Sequence, residues 1–387
     1  MSIHFSNKIP AEDAAWMARA LDLARQSTAL AHPNPRVGAV LVKNNRVVGE
    51  GFHSYDLRDH AEIAALKQAG KNARGATLYI NMEPCCHTGR TGPCSQALIQ
   101  AGVRRAVVAM EDPNPLVSGG GIRELRAAGI EVQTGLQEEA ARAINEDFAC
   151  WIRTGRPFVT LKTALTLDGQ IAMRSGSVTW ITSPASREEV LRIRHGTDAI
   201  LTGIGTVLAD DPRLTDRTGL PRRRKLLRCV LDSRLRLPLR SELVKSAQDD
   251  VVVFTGQPAT SAKARALVRA GVEVVSIRER TGSSRLRVNL RRVLAELGRR
   301  QMIHVLIEGG AHLNGAAIEA GLVDKMILFY APKIIGAGGV PMAQIASRWF
   351  PKSPALENLS LRRSGPDFVV EGYFHDVYRD HRTPRKN

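Results

Sequence analysis

The chain has 387 residues, enough for two domains that each bury a hydrophobic core. It has no uninterrupted apolar run of about 18 residues, which excludes an ordinary membrane-spanning helix, and its N-terminus lacks the regions of a signal peptide. We therefore expect a cytoplasmic enzyme. The formal net charge of +17 allows nucleic-acid binding, but aromatic residues make up only 5% of the chain, so phosphorylated small molecules explain the charge equally well.

The first half of the chain alternates short apolar strands with helices. Apolar residues at helical spacing predict a first helix from Glu12 to about Ala31. Runs of β-branched residues predict strands at Val37–Val42, Arg46–Gly49, Ala76–Met82, Arg105–Ala109 and Ile130–Gln133. Further helices are predicted at Ala61–Ala69, Ser95–Ala101, Gly121–Ala128 and Glu138–Phe148. This alternation is typical of an α/β layered domain with a largely shared sheet.

The pattern breaks near Trp151–Pro157, and we place a domain boundary there, between residues 1–153 and 154–379. The second half again alternates, with strands predicted at Phe158–Thr163, Ala199–Thr202, Leu226–Leu231, Val251–Thr255, His304–Ile307 and Met326–Tyr330. A helix at Ala185–His195 has Ser183 as its predicted cap. Residues 380–387 are predicted to form a disordered basic tail.

The cysteines indicate metal binding rather than a disulfide framework. Their total of five is odd, and Cys85, Cys86 and Cys94 lie within one short stretch of the chain. Cys86 and the adjacent His87 are alternative donors, which we interpret as neighbours of the metal rather than ligands.

A hydrolytic zinc site needs three protein ligands and an open position for water. His60, Cys85 and Cys94 supply one nitrogen and two sulfurs, which suits zinc. Glu62 follows the histidine closely and is the candidate general acid/base. Both His60 and Cys94 are predicted near helix N-termini, which favour a thiolate. The alternative is that His60 is a surface residue and the cysteines are small apolar side chains.

Ten stretches of the sequence resemble the bifunctional riboflavin-biosynthesis deaminase–reductases. The deaminase-like stretches are HPNPRVGAVLV (32–42), HAEIAAL (60–66), EPCCHTGRTGPC (83–94) and DPNPLVSGGGI (112–122). The reductase-like stretches are LKTALTLDGQIA (161–172), WITSPASR (180–187), DAILTGIGTVLADDPRLTDR (198–217), VLDS (230–233), IEGGAHLNGA (307–316) and APKIIGAGG (331–339). They cover nearly the whole chain in order.

The resemblance implies an α/β fold with a cytidine-deaminase-like three-layer domain followed by a dihydrofolate-reductase-like domain. It implies removal of the ring amine of 2,5-diamino-6-ribosylamino-4(3H)-pyrimidinone 5′-phosphate, then NADPH-dependent reduction of the ribosyl group to a ribityl chain. The implied cofactors are Zn²⁺ and NADPH, and abundant arginine suits the 2′-phosphate that distinguishes NADPH from NADH. A homo-oligomer, dimer or tetramer, is also implied, with no nucleic-acid or membrane partner.

The resemblance also implies roles for individual residues. In the deaminase domain His60, Cys85 and Cys94 hold zinc, Glu62 donates the proton, and Asn34 contacts the pyrimidine, although an Asn-Pro turn would explain Asn34 as well. The implied NADPH set is Ala164, Trp180, Thr206, Asp210, Ser233, Gly310, Ala311, His312, Leu313, Asn314, Gly315 and Ala316. The implied substrate set of the reductase is Arg194, Leu214, Arg217 and Glu308.

The residue types in the predicted reductase set suit the binding of phosphate groups. Gly309 and Gly310 lie where a predicted strand leads into a helix, so free backbone N–H groups can hold a phosphate. Arg194 and Arg217 can grip the substrate phosphate. Four residues depart from the usual family pattern within or beside these motifs: Asp59, Gly92, Thr166 and Val178.

Two other functions compete with this one. A nucleic-acid base deaminase with a basic RNA-binding appendage would explain the net charge, but the gap between Cys85 and Cys94 is longer than the C-x-x-C of those enzymes. A structural zinc module would normally use four protein ligands and would give Glu62 no role.

Overall fold

The computed structural model describes residues 11–89, 92–173, 180–277, 287–345 and 354–379. The chain divides into two compact units: unit 1 is Met1–Thr154 with Pro221–Arg223, and unit 2 is Gly155–Leu220 with Arg224–Asn387. Val178 and the predicted tail 380–387 lie outside the described residues. Among the helices in the described ranges, none has the length and apolar character needed to cross a membrane.

The described part of unit 1 contains a five-stranded sheet of order β2-β1-β3-β4-β5. The strands are β1 (Gly38–Lys43), β2 (Arg46–Phe52), β3 (Thr77–Met82), β4 (Arg105–Met110) and β5 (Glu131–Thr134). The helices are α1 (Ala11–Gln26), α2 (Ala61–Ala69), α3 (Cys94–Gln100), α4 (Gly120–Ala127), α5 (Glu138–Ile144) and α6 (Glu146–Thr154). β1 is antiparallel to β2 and β3, whereas β3, β4 and β5 run parallel.

Helices cover both faces of this sheet. On one face, Leu41 of β1 belongs to the same buried apolar cluster as Ala65 of α2 and Leu98 of α3. On the other face, α1 approaches β1 so closely that a Cβ atom on Gly38 would lie 2.2 Å from the carbonyl oxygen of Ala20. The close approach therefore requires glycine at this position, and the result is the layered α/β arrangement that the sequence predicts.

Two helix predictions in unit 1 are wrong in their limits. Helix α1 ends at Gln26, because Ala29 shortly after it has a φ of 62° that a right-handed helix does not allow. The helix predicted over 138–148 is two helices, α5 and α6, separated at the buried Asn145. The Asn145 side chain accepts a hydrogen bond from the backbone N–H of Arg36 (2.8 Å) and donates one to its carbonyl oxygen (3.0 Å), so it fixes the chain before β1.

The strands of unit 2 are β6 (Phe158–Thr166), β7 (Gln170–Met173), β8 (Ala199–Gly203), β9 (Leu227–Leu231), β10 (Val251–Thr255), β11 (Val272–Ser276), β12 (His304–Ile307), β13 (Lys325–Ala331), β14 (Gly339–Pro341), β15 (Glu357–Ser364) and β16 (Asp367–Tyr373). Its helices are α7 (Pro184–His195), α8 (Ile204–Asp210), α9 (Glu242–Lys245), α10 (Ala262–Arg269), α11 (Leu290–Arg299) and α12 (Ala311–Glu319). Ser183 caps α7 as predicted, because its Oγ accepts a hydrogen bond from the N–H of Ser186.

In the part of unit 2 that the structure describes, nine strands form one sheet of order β11-β10-β9-β8-β12-β6-β13-β16-β15, and β14 pairs with β7 separately. The strands from β11 to β13 are parallel, and β16 and β15 continue the sheet antiparallel. The carboxyl ends of the parallel strands consequently share one edge. In open sheets of this kind that edge is where ligands bind.

The structure differs from the sequence prediction in unit 2 as well. Strands β7, β11, β14, β15 and β16 are absent from the prediction, partly because β15 is mostly exposed and lacks an apolar face. The predicted break at Trp151–Pro157 begins too early, since α6 continues to Thr154 and ends before Gly155, whose φ is 73°.

A buried carboxylate holds the first strand of unit 2. Asp324, which is 0% exposed, accepts hydrogen bonds from both terminal nitrogens of Arg156 (2.6 and 2.7 Å) and from the N–H of Val159 (2.7 Å), and it pairs with His375 at 2.5 Å. Burial alone would raise the pKa of Asp324, but Arg156 and His375 outweigh it and hold that pKa below its usual value.

We expect Asp324→Asn to lower the free energy of unfolding by about 3 kcal/mol at pH 7, because it breaks a buried ion pair. The pKa of this carboxyl group is lower in the folded protein than in the unfolded chain, where it is about 3.9. Its ion pair therefore stabilises the fold fully above about pH 4, and this contribution disappears as the pH falls through the pKa of the folded state. Urea unfolding followed by circular dichroism should therefore show a difference from wild type that shrinks below about pH 4. Asp249 is exposed, so the control substitution Asp249→Asn should change the free energy of unfolding little. An equal effect of both substitutions would contradict the prediction.

Candidate functional site

Three residues that are distant in sequence come together in unit 1. His60 is the residue before α2, Cys85 follows β3, and Cys94 is the first residue of α3. The Nδ1 atom of His60 lies 3.5 Å from the Sγ of Cys85 and 3.3 Å from the Sγ of Cys94, and the three ligand atoms all lie within 4.8 Å of one another. Three such atoms so close together have the spacing of ligands around one metal ion.

The contacts of Cys85 favour the deprotonated form of its thiol. The backbone N–H of Cys94 donates to the Sγ of Cys85 at 3.5 Å. Hydrogen bonds from Cys94 and His60 lower the pKa of the Cys85 thiol, which favours the thiolate that a metal requires. The hydrogen bond with Cys85 in turn raises the pKa of His60. One imidazole and two thiols are a donor set that fits zinc, and within the described ranges the group contains three residues, the number of protein ligands in a catalytic zinc site.

Glu62 lies beside this group. It is in the first turn of α2, its side chain is 3% exposed, and it shares a hydrogen bond with Cys94. Burial, only partly offset by His60, raises the pKa of Glu62 to about 7. A carboxyl group with this pKa can both take up and release a proton at neutral pH.

Asn34 is joined to the same group through a histidine that the sequence analysis missed. The Asn34 side-chain nitrogen lies 3.0 Å from Nε2 of His53, and Nδ1 of His53 lies 2.9 Å from the carbonyl oxygen of Asp59. Because a carbonyl only accepts, Nδ1 carries the proton and Nε2 accepts from Asn34. The His53 ring also packs edge-on against His60, with centroids 5.2 Å apart. A histidine directly after β2 was the available signal.

In unit 2 many of the predicted NADPH residues lie at the common edge formed by the carboxyl ends of the strands. Thr206 is in α8 after β8, Ser233 follows β9, and Gly310 precedes α12 after β12. A Cβ atom on Gly310 would lie 3.7 Å from the Oγ1 of Thr206, so these two loops meet. Asp210 is the last residue of α8, and residues 311–316 form the first turns of α12.

The first turns of α12 are held by a neighbouring segment. The side-chain nitrogen of Asn314 donates to the carbonyl oxygen of Met342 at 2.9 Å, and the N–H of Gln344 donates to the carbonyl oxygen of Ala311 at 2.8 Å. A Cβ atom on Gly315 would lie 2.1 Å from the carbonyl oxygen of Gln344, so only glycine allows this approach. The leading N–H groups of a helix have no acceptor within the helix and can bind phosphate.

The strongest charge cluster of unit 2 surrounds Glu308, directly after β12. Its carboxylate accepts hydrogen bonds from Nε (2.6 Å) and Nη2 (3.0 Å) of Arg194 and pairs with the Nζ of Lys162 at 2.7 Å. Burial alone would raise the pKa of Glu308, but Lys162 and Arg194 lower it to about 2. Lys162, on β6, was missed because a single lysine in an apolar strand has no spacing signal.

The other predicted residues are placed as follows. Ala164 is on β6, and Leu214 is buried with a φ of 54° in the loop after α8. Arg217, further along that loop, is exposed, whereas Arg194 already binds Glu308 and also donates to the carbonyl oxygen of Thr215 at 3.3 Å. Trp180 is 66% exposed, and the guanidinium of Arg187 lies 4.7 Å from its ring centroid.

Comparison with known proteins agrees with both halves of this arrangement. The RibD C-terminal domain model matches residues 157–370, and the cytidine and deoxycytidylate deaminase zinc-binding region matches residues 10–110. The riboflavin biosynthesis protein RibD of Aquifex aeolicus is 40% identical over 358 residues, covering 92% of this chain and 97% of the relative. The chain belongs to the RibD family.

Solved RibD structures have the same fold along most of the chain. A RibD structure from Acinetobacter baumannii has a TM-score of 0.81 at 37% identity and covers 94% of this chain and 98% of its own. The Thermotoga maritima diaminohydroxyphosphoribosylaminopyrimidine deaminase/5-amino-6-(5-phosphoribosylamino)uracil reductase has a TM-score of 0.80 at 34% identity, with the same coverage.

Membership in the RibD family gives the chain two activities in riboflavin biosynthesis, a deaminase and a reductase. The first domain is cytidine-deaminase-like with a zinc-binding region, and the second is a dihydrofolate-reductase-like domain that uses NADPH. The nucleic-acid deaminase alternative is not favoured, because the second half is this reductase domain rather than an RNA-binding appendage.

Metal analysis tests the ligand group directly. We expect the purified protein to hold about one zinc ion per chain, and Cys85→Ser or Cys94→Ser to lose most of it because a hydroxyl is a poor substitute for a thiolate. Cys86→Ser is the matched control: Cys86 neighbours Cys85 in sequence but is not part of the group, so this variant should keep its zinc. Equal zinc loss in all three variants would contradict the assignment.

Proposed function

We propose that this chain removes the ring amine of 2,5-diamino-6-ribosylamino-4(3H)-pyrimidinone 5′-phosphate and then reduces the ribosyl group of the product, using NADPH, to 5-amino-6-ribitylamino-uracil 5′-phosphate. The observation that carries the proposal is the convergence of His60, Cys85 and Cys94 beside the buried Glu62, in a chain that also holds the Glu308 cluster. The named substrates of the Thermotoga maritima relative support the same two reactions.

In the deaminase site, we assign His60, Cys85 and Cys94 as zinc ligands and Glu62 as the proton carrier. Bound zinc lowers the pKa of a water molecule to about 7, so that a nucleophile is available at neutral pH. The Glu62 carboxylate would take up one proton of the attacking water as its oxygen adds to the ring carbon, and would pass that proton to the amine, which leaves as ammonia when the C–N bond breaks. The pKa of about 7 for Glu62 suits both transfers.

Asn34 and His53 orient the pyrimidine in this proposal. Because Nε2 of His53 accepts from the Asn34 amide, the Asn34 carbonyl oxygen is directed away from that hydrogen bond and is able to accept one from a ring amine. The bond from His53 to the Asp59 carbonyl fixes the tautomer and therefore the direction of the amide.

In the reductase site, NADPH supplies the hydride and the protein positions the sugar. We assign the predicted NADPH residues, from Ala164 to Ala316, to cofactor binding. Of these, Thr206, Ser233 and the start of α12 lie at one edge of the sheet. The ribosyl group must also gain a proton, and the Lys162–Glu308 pair, 2.7 Å apart, carries an exchangeable one. Arg194 holds Glu308 in place, which leaves the exposed Arg217 to bind the substrate phosphate.

The cysteine thiols bear on the cellular compartment in which the enzyme works. Cys85 and Cys94 must stay reduced to bind zinc, so we propose that the protein works in the reducing cytoplasm. We also propose a homo-oligomer, dimer or tetramer, from the family resemblance. Sedimentation of the purified protein would measure the assembly, and a monomer at micromolar concentration would contradict this part.

Glu62→Gln should keep the zinc and lose ammonia release by about 10²–10⁴-fold, because glutamine cannot carry the proton. The measurement is ammonia release from the diaminopyrimidine nucleotide without NADPH, alongside metal analysis. The reductase provides an internal control, since NADPH oxidation with the deaminated intermediate should match wild type. A variant that still releases ammonia at the wild-type rate would remove Glu62 from the mechanism.

Arg217→Ala should raise the reductase KM for the phosphorylated substrate by about 10- to 100-fold, because it removes a charge-assisted hydrogen bond to phosphate. The same variant should not change the KM for the dephosphorylated substrate. Arg213→Ala is the matched control, since Arg213 is exposed in the same loop but pairs with Glu242 at 2.8 Å. If both substrates were affected equally, Arg217 would not be the phosphate residue.

A further inference from the structure

The segment Asp112–Ile122, which we call the glycine segment, lies against the strand end that carries Cys85. The two meet because β3 and β4 are parallel neighbours, and Cys85 follows β3 whereas the glycine segment follows β4. A Cβ atom on Gly121 would lie 1.9 Å from the carbonyl oxygen of Pro84, and one on Gly120 would lie 2.5 Å from the Sγ of Cys86. The glycines therefore allow a backbone approach that no other residue permits.

One carboxylate ties the glycine segment to that strand end. Glu83, two positions before Cys85, is 4% exposed. Its Oε2 accepts hydrogen bonds from the N–H groups of Asp112 (3.2 Å) and Gly119 (2.8 Å), and its Oε1 accepts from the N–H of Ile122 (3.0 Å). These three donors span the whole segment, so a single side chain fixes its beginning and its end.

The glycine segment also orders itself between these anchors. The Asp112 side chain accepts from the N–H of Asn114 at 2.8 Å, and the Asn114 side chain accepts from the N–H of Leu116 at 3.1 Å. Asp112 is 8% exposed, and its pKa is raised by burial and by the neighbouring charges of Glu83 and Cys85. The Asp112 carboxyl is therefore near Cys85, one of the proposed zinc ligands, beside which a substrate has to bind.

We propose that Glu83 is a positioning residue of the deaminase: it holds the glycine segment as one wall of the pyrimidine pocket and so determines how tightly the substrate binds. In this role Glu83 contacts neither the substrate nor the metal. The inference rests on the proposed deaminase function, and nothing in the family motif assigns this role to the glutamate before Pro84.

The test is Glu83→Gln, whose side chain keeps one acceptor oxygen but turns an NH₂ group toward a backbone N–H that also donates. We expect the deaminase KM to rise about tenfold or more and kcat to change less than about threefold, with about one zinc ion retained per chain. Amide hydrogen exchange in peptides covering Asp112–Ile122 should become about tenfold faster, since each lost hydrogen bond is worth about that factor. Reductase kinetics with the deaminated intermediate should match wild type.

Two further variants sharpen the result. Glu50→Gln is the matched control. Glu50 is also in unit 1, but it accepts two hydrogen bonds from Arg19, which is far from the glycine segment in sequence. The deaminase KM of the Glu50→Gln variant should therefore equal that of wild type. Gly121→Ala leaves Glu83 intact but pushes the segment from Pro84, so it should also raise the deaminase KM.

The outcomes separate the two proposals. If Glu83→Gln has the wild-type KM and exchange rates, or if it loses its zinc together with its activity, the positioning role is overturned. If the wild-type protein itself releases no ammonia, the proposed deaminase function fails, whereas the exchange measurement still reports whether Glu83 anchors the segment.

Discussion

Parallel strands that end at a common edge are the constraint on which both sites depend. In unit 1 the end of β3 carries Glu83 and Cys85, and the end of the adjacent β4 carries Asp112. In unit 2 the ends of β8, β9 and β12 carry the loops of Thr206, Ser233 and Glu308. Residues far apart in sequence meet there because neighbouring parallel strands finish side by side, and the loops that follow have no strand partner to bind them.

Such loops need another source of rigidity, and carboxylates provide it repeatedly. Glu83 accepts three backbone N–H groups of the glycine segment. In unit 2, Asp168 accepts from the N–H groups of Ile335 and Gly336, and Asp216 accepts from Thr218 while its other oxygen lies 2.9 Å from Nδ1 of His195. A carboxylate suits this purpose because its two oxygens can accept from several donors in different directions. Acidic side chains therefore help to fix the loops that follow these strands.

The grouping of His60, Cys85 and Cys94 could be predicted from the sequence because its signal is local: a histidine and two cysteines at helix starts and a strand end can be recognised in short motifs. The sequence did not reveal His53 or Lys162, since each is a single residue whose importance depends on neighbours from other strands. The resemblance predicts Arg194 as a substrate-binding residue, but it did not reveal the two hydrogen bonds of Arg194 to Glu308. Strand order has no counterpart in local periodicity, so the central position of β12 in its sheet required the structure.

The excess of basic residues acquires a different meaning once its contacts are known. In the basic run Arg222–Lys225, Arg223 donates to the carbonyl oxygen of His32 within unit 1, Arg224 to that of Gln301, and Lys225 to that of Gln248. Arg228, which is 1% exposed, forms two hydrogen bonds with Asp250. Cations bound to carbonyl oxygens and carboxylates have part of their donor capacity already used. These contacts give part of the excess basic charge a role inside the fold, so the net charge does not by itself indicate a nucleic-acid partner.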